Sequence, residues 1–200
     1  MAQAHSSLDA LLKRVRACTL CQAHLPLGPR PVVQLSATAK LLIIGQAPGT
    51  KVHESGIPWH DPSGDRLRDW LGLAPEVFYD TAQIALMPTG FCYPGRAPKG
   101  GDLPPRPECA PTWHGPLLEH LKSVRLTLLV GMHAQVYYLG KRRKRTMTDT
   151  VAAWRDYGPA LIPTPHPSWR TAIWAKRNPW FEADLVPVLR SRVQGLLKTS

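Results

Sequence analysis

The stretch LLIIGQAPG, residues 41–49, decides the fold of this 200-residue chain. Its first four residues form an unbroken aliphatic run with two β-branched side chains, which is typical of a strand buried on both faces. The run ends in GQAPG, whose two glycines allow a sharp turn and a close approach of a ligand to the backbone. Ligands of open α/β sheets bind beyond the carboxyl ends of the strands, so Gln46 is a candidate binding residue. An ordinary turn after a strand would use the same residue types.

Further apolar runs and helical patterns alternate along the rest of the chain. Short buried strands are predicted at residues 84–87, 126–130 and 161–162. Amphipathic or capped helical segments are predicted at residues 8–17, 64–71, 113–121, 132–139, 148–154 and 179–197. This alternation predicts a single domain, residues 1–200, with a three-layer α/β/α sandwich on a central, mostly parallel four-stranded sheet. Residues 50–62 are predicted as a polar loop, with Ser63 as the cap of the following helix.

The charge balance favours an anionic partner. Lysine and arginine number 25 against 14 acidic residues, which gives a net charge of +11. Such an excess favours a polyanion, and DNA is the leading candidate, although a solvated surface would also carry these charges. No apolar run reaches the ~18–20 residues that cross a bilayer, and the first residues lack the pattern of a signal peptide. We therefore expect a cytoplasmic monomer that does not enter a membrane.

Four cysteines form a possible metal-binding set. Cys18 and Cys21 make a CxxC pair, whereas Cys92 and Cys109 stand singly in one proline-rich loop. Four thiolates suit either a [4Fe-4S] cluster or a tetrahedral zinc ion. Zinc sites more often show two short pairs, so the spacing fits a cluster somewhat better. Buried cysteines without any ligand are the third interpretation, and the spacing leaves all three open.

Three short motifs resemble those of the uracil-DNA glycosylase superfamily, and the likeness runs from Cys18 to about the terminal helix. GQAPG at residues 45–49 is similar to the first motif of that superfamily, and HPS at residues 166–168 is similar to the second. GIPW at residues 56–59 resembles the segment that supplies the aromatic ring on which the base stacks. The order of the cysteines is similar to the family 4 enzymes, which carry a [4Fe-4S] cluster. The resemblance implies the same fold and a glycosylase activity.

The resemblance also implies roles for individual residues. Trp59 would stack on an extruded base, and Ser168 would join Gln46 and Ala47 in contacting the substrate. As the N-glycosidic bond breaks, the base departs as an anion, so a donor aimed at the base stabilises the transition state. His166 in the second motif is the candidate donor. A loop histidine that only bonds to the backbone is the plainer interpretation.

The sequence departs from these relatives at the expected carboxylate and at the residue that reads the base. Family 4 enzymes have glutamate where this chain has Gln46, family 1 enzymes have aspartate where it has Ala47, and the family 4 asparagine falls on Pro88. The best substitute is Asp61 in HDPSG, which resembles a family 5 segment whose aspartate assists the chemistry, and its expected role is to position the attacking water. Glu54 is the second choice. Asp61 or Ser63 would equally serve as a simple helix cap.

The segment after the second motif is the candidate DNA-binding region. In the family this stretch fills the gap left by the flipped base, so Trp169 or Arg170 is the candidate wedge. Trp174 and Trp180 are better explained as core residues. The basic run at residues 141–145 either contacts phosphates or forms a solvated loop.

These observations lead to one main functional hypothesis and two rivals. The main hypothesis is a DNA-repair glycosylase that hydrolyses the N-glycosidic bond of uracil or another deaminated base in DNA. The first rival is a catalytically silent protein that binds DNA or a damaged base, because the usual carboxylate and reader are missing. The second rival is a hydrolase of free nucleosides or nucleotides.

Overall fold

The computed structural model describes residues 7–198, which are built around one parallel sheet. Its strands are β1 (Leu41–Ile44), β2 (Ile84–Leu86), β3 (Leu126–Val130) and β4 (Leu161–Thr164), in the order β2-β1-β3-β4. All three pairings are parallel, and Leu41 lies opposite both Ile84 and Leu126. The predicted α/β class is confirmed, and the sheet is parallel throughout rather than mostly so.

Helices cover both faces of the sheet. They are α1 (Leu8–Arg16), α2 (Thr50–Ser55), α3 (Pro62–Leu71), α4 (Pro75–Phe78), α5 (Cys109–Leu118), α6 (Met132–Leu139), α7 (Met147–Ala152), α8 (Trp169–Arg177) and α9 (Val186–Lys198). Leu41 and Ile43 pack in one buried cluster with α3, α4, α7, α8 and α9, whereas Leu42 and Ile44 pack in a second cluster with α1, α5 and α6. The alternation of side chains along β1 therefore separates the two helical layers. Within the described residues, no helix has the length and apolar character needed to span a membrane.

Local structure differs from the prediction around the first motif. Residues 50–62 are not one loop, because α2 follows the GQAPG turn directly. This six-residue helix buries only Val52 and His53, too few residues to show a helical period. Helix α3 begins at Pro62, and its cap is Asp61 rather than Ser63. One Asp61 carboxylate oxygen accepts a hydrogen bond from the Gly64 amide at 2.8 Å.

The order of the strands fixes where a ligand can bind. From β1 the chain crosses to β2 on one side, and then returns to place β3 on the other side of β1. A crevice forms at the carboxyl ends of strands where the winding reverses in this way. The GQAPG turn follows β1, and the HPS loop follows β4 with only Pro165 between them. Both motifs therefore lie at the same edge of the sheet.

A buried histidine supports the loop after β2. His114 is 1% exposed, and its Nε2 lies 3.1 Å from the Pro88 carbonyl oxygen. Because a carbonyl only accepts, Nε2 donates this bond, and the Tyr138 hydroxyl donates to Nδ1 at 2.5 Å. Burial lowers the pKa of His114 to about 4. The imidazole is therefore neutral at pH 7, and its Nε2–H hydrogen bonds to the carbonyl oxygen of Pro88.

Acidification is expected to destabilise the protein partly through His114. Between pH 6.5 and about 4 the unfolded histidine binds a proton that the folded one excludes, so the free energy of unfolding falls as the pH falls. The full contribution is about 3 kcal/mol. Urea unfolding at pH 7 and pH 4.5 measures this slope for wild type and for His114→Gln. The slope should shrink in His114→Gln but not in His24→Gln, whose side chain is exposed; equal slopes in all three proteins would contradict the assignment.

Candidate functional site

A cavity of about 440 Å³ lies at the edge of the sheet where the two motifs meet. Eight of the residues singled out from the sequence line it: Gln46, Ala47, Trp59, Asp61, His166, Ser168, Trp169 and Arg170. Residues from the loop after β2, including Pro88, complete the lining. The structure thus brings together side chains that are separated by more than a hundred residues in the sequence.

The GQAPG turn is anchored to the loop after β2. The Thr89 amide and hydroxyl both donate to the Gly45 carbonyl, at 2.9 Å and 2.6 Å. The Gly90 amide donates to the Gln46 carbonyl at 2.8 Å. Because the backbone around Gln46 is fixed on both sides, its half-buried amide side chain is held at the wall of the cavity.

Trp59 packs over the first motif in an unusual backbone conformation. Its φ of 57° lies in the left-handed region, which is rare for a tryptophan. The ring covers Gly45 so closely that a Cβ added there would lie 2.8 Å from the tryptophan ring. A Cβ at Gly64 would lie 1.7 Å from the Trp59 carbonyl oxygen. Two glycines are therefore required for Trp59 to reach the cavity.

His166 lies beside Trp59 and is held by its own loop. The two rings stack with centroids 5.7 Å apart and an interplanar angle of 30°. The Ser168 amide donates to the His166 carbonyl at 2.8 Å, and the Thr171 hydroxyl donates to the same oxygen. Enclosure by protein lowers the pKa of His166 to about 4, aided by His133 and opposed by Asp61. The imidazole is therefore neutral at pH 7 and has one N–H to donate.

Helix α3 and the HPS loop are joined by one arginine. The Arg66 guanidinium donates to the Ser168 carbonyl and, at 3.5 Å, to the Pro167 carbonyl. Asp61 caps the same helix and is half-buried at the cavity wall. The bonds of Arg66 thus connect the element that presents Asp61 to the element that presents His166.

A second carboxylate, Asp102, lines the cavity and was not predicted from the sequence. It is exposed to solvent, yet nearby protein raises its pKa by desolvation; Asp61 raises it further and Arg96 lowers it. One feature of the sequence could have marked this residue as a candidate. Asp102 is the only acidic residue between Asp80 and Glu108, and it follows two glycines.

The rim of the cavity carries the start of α8. Trp169 is 67% exposed, and the Arg170 guanidinium lies 5.1 Å from the centroid of its ring. Residues 169–177 form a helix. From the sequence, a wedge residue was predicted in this segment but a helix was not. Trp174 and Trp180 pack against the core, as expected.

Two other sets of candidate residues lie away from the cavity lining. Glu54, the second candidate carboxylate, is exposed on α2 and is not among the residues that line the cavity. The basic run 141–145 does not line it either. Within that run Lys144 pairs with Asp156 at 2.8 Å.

The four cysteines surround a second, smaller cavity. Cys18, Cys21, Cys92 and Cys109 all line it, together with Phe91 and Trp113. The Phe91 amide donates to the Cys109 sulfur at 3.3 Å. Burial raises the pKa of Cys92 to about 11 and that of Cys109 to about 12. Among residues 7–198, no three side chains of His, Cys, Asp or Glu are grouped so as to hold a single metal ion.

The comparison with protein families agrees with the geometry of the site. The family model described as the uracil DNA glycosylase superfamily matches residues 32–190, which include the first motif, Trp59, Asp61, Asp102 and the HPS loop. This match covers well over half of the chain. The protein therefore belongs to the uracil DNA glycosylase superfamily.

Proposed function

We propose that this protein is a DNA-repair glycosylase that hydrolyses the N-glycosidic bond of uracil or another deaminated base in DNA. The observation that carries the proposal is the stacked pair of Trp59 and His166 in one cavity with carboxylates. Membership of the superfamily supports a glycosylase-like role in DNA repair in general.

In the proposed reaction, the target nucleotide leaves the base stack and its base enters the cavity. Extruding a nucleotide costs a few kcal/mol, and stacking on an aromatic ring returns roughly 1–3 kcal/mol. Trp59 supplies that ring, while Gln46 shapes the wall and offers its amide to the base. Pro88, which stands where the family 4 asparagine falls, has no side-chain amide to read the base, and its carbonyl accepts a hydrogen bond from His114.

His166 stabilises the leaving base. As the bond between the sugar and the base breaks, its electron pair moves onto the base, and a neutral imidazole N–H beside it donates a hydrogen bond to the developing anion. Because the pKa of His166 is about 4, it holds this form throughout the neutral range. The positive character that develops on the sugar is stabilised by the carboxylate of Asp61.

Charge and exposed side chains support DNA as the substrate. The net charge of +11 attracts a polyanion, and Arg170 and Trp169 lie at the mouth of the cavity. We assign Trp169 or Arg170 as the wedge that fills the gap left by the extruded nucleotide. In this arrangement the basic surface holds the backbone while the wedge keeps the base out of the duplex.

The four cysteines are proposed to hold a [4Fe-4S] cluster. Four soft thiols around one cavity form the donor set that such a cluster takes, and an amide already donates to one sulfur. One CxxC pair with two single cysteines fits a cluster somewhat better than zinc, whose sites more often show two short pairs. Cys18 and Cys21 lie just beyond α1, whereas Cys109 begins α5, so a bound cluster would fasten these elements to the loop that follows β2.

Removing one cysteine is expected to abolish cluster binding. Protein purified without oxygen should contain iron and sulfide in equal amounts and show the visible absorbance of a cluster, whereas Cys92→Ser should lose both. The free energy of unfolding should fall as well, because a bound group stabilises the folded state. Wild type treated with an iron chelator is the matched control and should resemble the variant. Stoichiometric zinc in place of iron would contradict the cluster.

The proposed activity is tested with oligonucleotides that carry uracil, hypoxanthine or xanthine. Incubation with the protein followed by heating in alkali converts each abasic site to a strand break. Breaks at the lesion support the glycosylase. Retention of the lesion oligonucleotide without breaks would support the silent binder instead, and release of bases from free nucleosides alone would support the nucleoside hydrolase.

A further inference from the structure

The missing motif carboxylate raises the question of which residue activates the attacking water. Gln46 stands at the usual position and an amide is not a base at neutral pH. Two carboxylates line the cavity from different elements, Asp61 at the start of α3 and Asp102 in the loop between β2 and α5. The hydrogen bonds and charges around the two carboxylates differ, and this difference distinguishes their roles in the proposed reaction.

Asp102 is presented by a small hairpin, residues 95–103. The Leu103 amide donates to the Gly95 carbonyl at 2.8 Å, and the Ala97 amide donates to the Gly101 carbonyl at 2.9 Å. Gly100 and Gly101 have φ values of +87° and +82°, a conformation that suits glycine and turns the chain back. The hairpin therefore holds the backbone of Asp102 at the mouth of the cavity.

The first motif leaves room for the Asp102 carboxylate. A Cβ at Gly49 would lie 3.3 Å from Asp102 Oδ2, so this oxygen reaches the last residue of GQAPG. On the other side, a Cβ at Gly101 would lie 3.8 Å from Nη1 of Arg170. The carboxylate thus reaches the turn that forms the cavity wall, and the neighbouring Gly101 lies near the helix that forms the rim.

The two carboxylates differ in what their oxygens already bind. Asp61 Oδ1 accepts the capping hydrogen bond from the Gly64 amide at 2.8 Å. Among the described residues, no protein group donates a hydrogen bond to either oxygen of Asp102, which is also open to solvent. Asp102 is therefore the carboxylate that is free to hold a water molecule in the cavity.

We infer that Asp102 is the catalytic residue that binds and polarises the water that attacks the sugar. This inference rests on the proposed glycosylase function. As the bond from C1′ to the base breaks, its electron pair leaves with the base, towards the His166 N–H. The water oxygen then bonds to C1′ and passes one proton to an Asp102 oxygen. That proton afterwards neutralises the base anion, so the products are an abasic sugar and a free base. Asp61 remains the fixed charge that stabilises the cation.

The environment of Asp102 suits a general base. Desolvation and the charge of Asp61 raise its pKa above the usual value for aspartate, while Arg96 lowers it. Arg170 on α8 lies near Gly101, the residue before Asp102, and His166, which also lines the cavity, is neutral. The two carboxylates therefore occupy different environments in one cavity, a pattern that separates a base from an electrostatic stabiliser.

The test is the single-turnover rate on a lesion oligonucleotide that wild type cleaves. Asp102→Asn should lower the rate by about 10²- to 10⁴-fold, with the dissociation constant for the same DNA unchanged or smaller. Asp184→Asn makes the same change of charge at an exposed position outside the cavity and should keep the wild-type rate. The wild-type rate should fall on acidification as Asp102 is protonated, and this limb should be absent in Asp102→Asn.

A rescue measurement guards against a merely structural effect. Asp102→Gly leaves space for a small carboxylate at a solvent-exposed position, so added formate should restore part of the cleavage rate of this variant. Formate should not restore the cleavage rate of Asp61→Gly. A rate for Asp102→Asn within threefold of wild type, or a lost rate that formate does not restore in Asp102→Gly, would overturn the role of Asp102. In that case wild-type cleavage would leave the glycosylase function standing. Absence of wild-type cleavage on every lesion would overturn both.

Discussion

Replacing Gly64 with alanine is expected to lower the free energy of unfolding by at least about 3 kcal/mol, or to prevent folding. In an ordinary helix this change stabilises by up to about 1 kcal/mol, because alanine is the better helix former. Here the new Cβ would lie 1.7 Å from the Trp59 carbonyl oxygen and 2.9 Å from the Trp59 Cβ. The backbone at Trp59 would have to move, and overpacking of this severity exceeds the usual cost of about 1–3 kcal/mol.

Gly195→Ala is the matched control, since Gly195 also lies within a helix, α9, and its added Cβ would meet nothing within 4 Å. Urea unfolding of the two variants should therefore move in opposite directions, with a small gain for Gly195→Ala. If Gly64→Ala were as stable as wild type, the close packing of Trp59 on α3 would be wrong. Any Gly64→Ala protein that folds should also have lost lesion cleavage, because Trp59 would be displaced from the cavity.

Replacing His166 with alanine is expected to lower the single-turnover cleavage rate by about 10²- to 10³-fold. In the proposed reaction the imidazole donates a hydrogen bond to the leaving base. Its loop is held through backbone and hydroxyl bonds to Ser168 and Thr171 that the substitution leaves in place. The dissociation constant for lesion DNA should change far less than the rate, because the hydrogen bond strengthens only as the base becomes anionic.

His60→Ala is the control for this prediction, since His60 is exposed next to Trp59 but does not line the cavity. Its cleavage rate should match that of wild type. Equal rates for His166→Ala and wild type would show that another group stabilises the leaving base. A loss confined to binding, with an unchanged rate at saturation, would make His166 part of substrate recognition alone.

The fold was predictable because its signals are local. A four-residue aliphatic run such as Leu41–Ile44, short and followed by a glycine, is typical of a strand buried within a sheet, and glycines mark where the chain turns. Gln46 was predictable for a related reason, since ligands of parallel sheets bind beyond the carboxyl ends of the strands. His166 and most other cavity residues were predicted from the resemblance of their motifs to those of the superfamily.

What the sequence did not predict depends on contacts between distant segments. The position of Asp102 is set by a hairpin of two glycines and by the space above Gly49, and neither has a periodic pattern. The left-handed backbone of Trp59 is imposed by packing on Gly45 and Gly64. Asp61 was correctly considered as a cap, but only coordinates show that capping leaves its charge facing His166.

The arginine that joins α3 to the HPS loop has a consequence for how DNA gains access. Because Arg66 holds the carbonyls of Pro167 and Ser168, the side of the cavity that bears Asp61 and His166 is cross-linked between α3 and the HPS loop. The opposite side is the 95–103 hairpin, which is tied mainly to itself through short backbone bonds. In the proposed reaction, a nucleotide that enters the cavity therefore passes between a wall that Arg66 cross-links to a second element and a hairpin that is closed by its own backbone bonds.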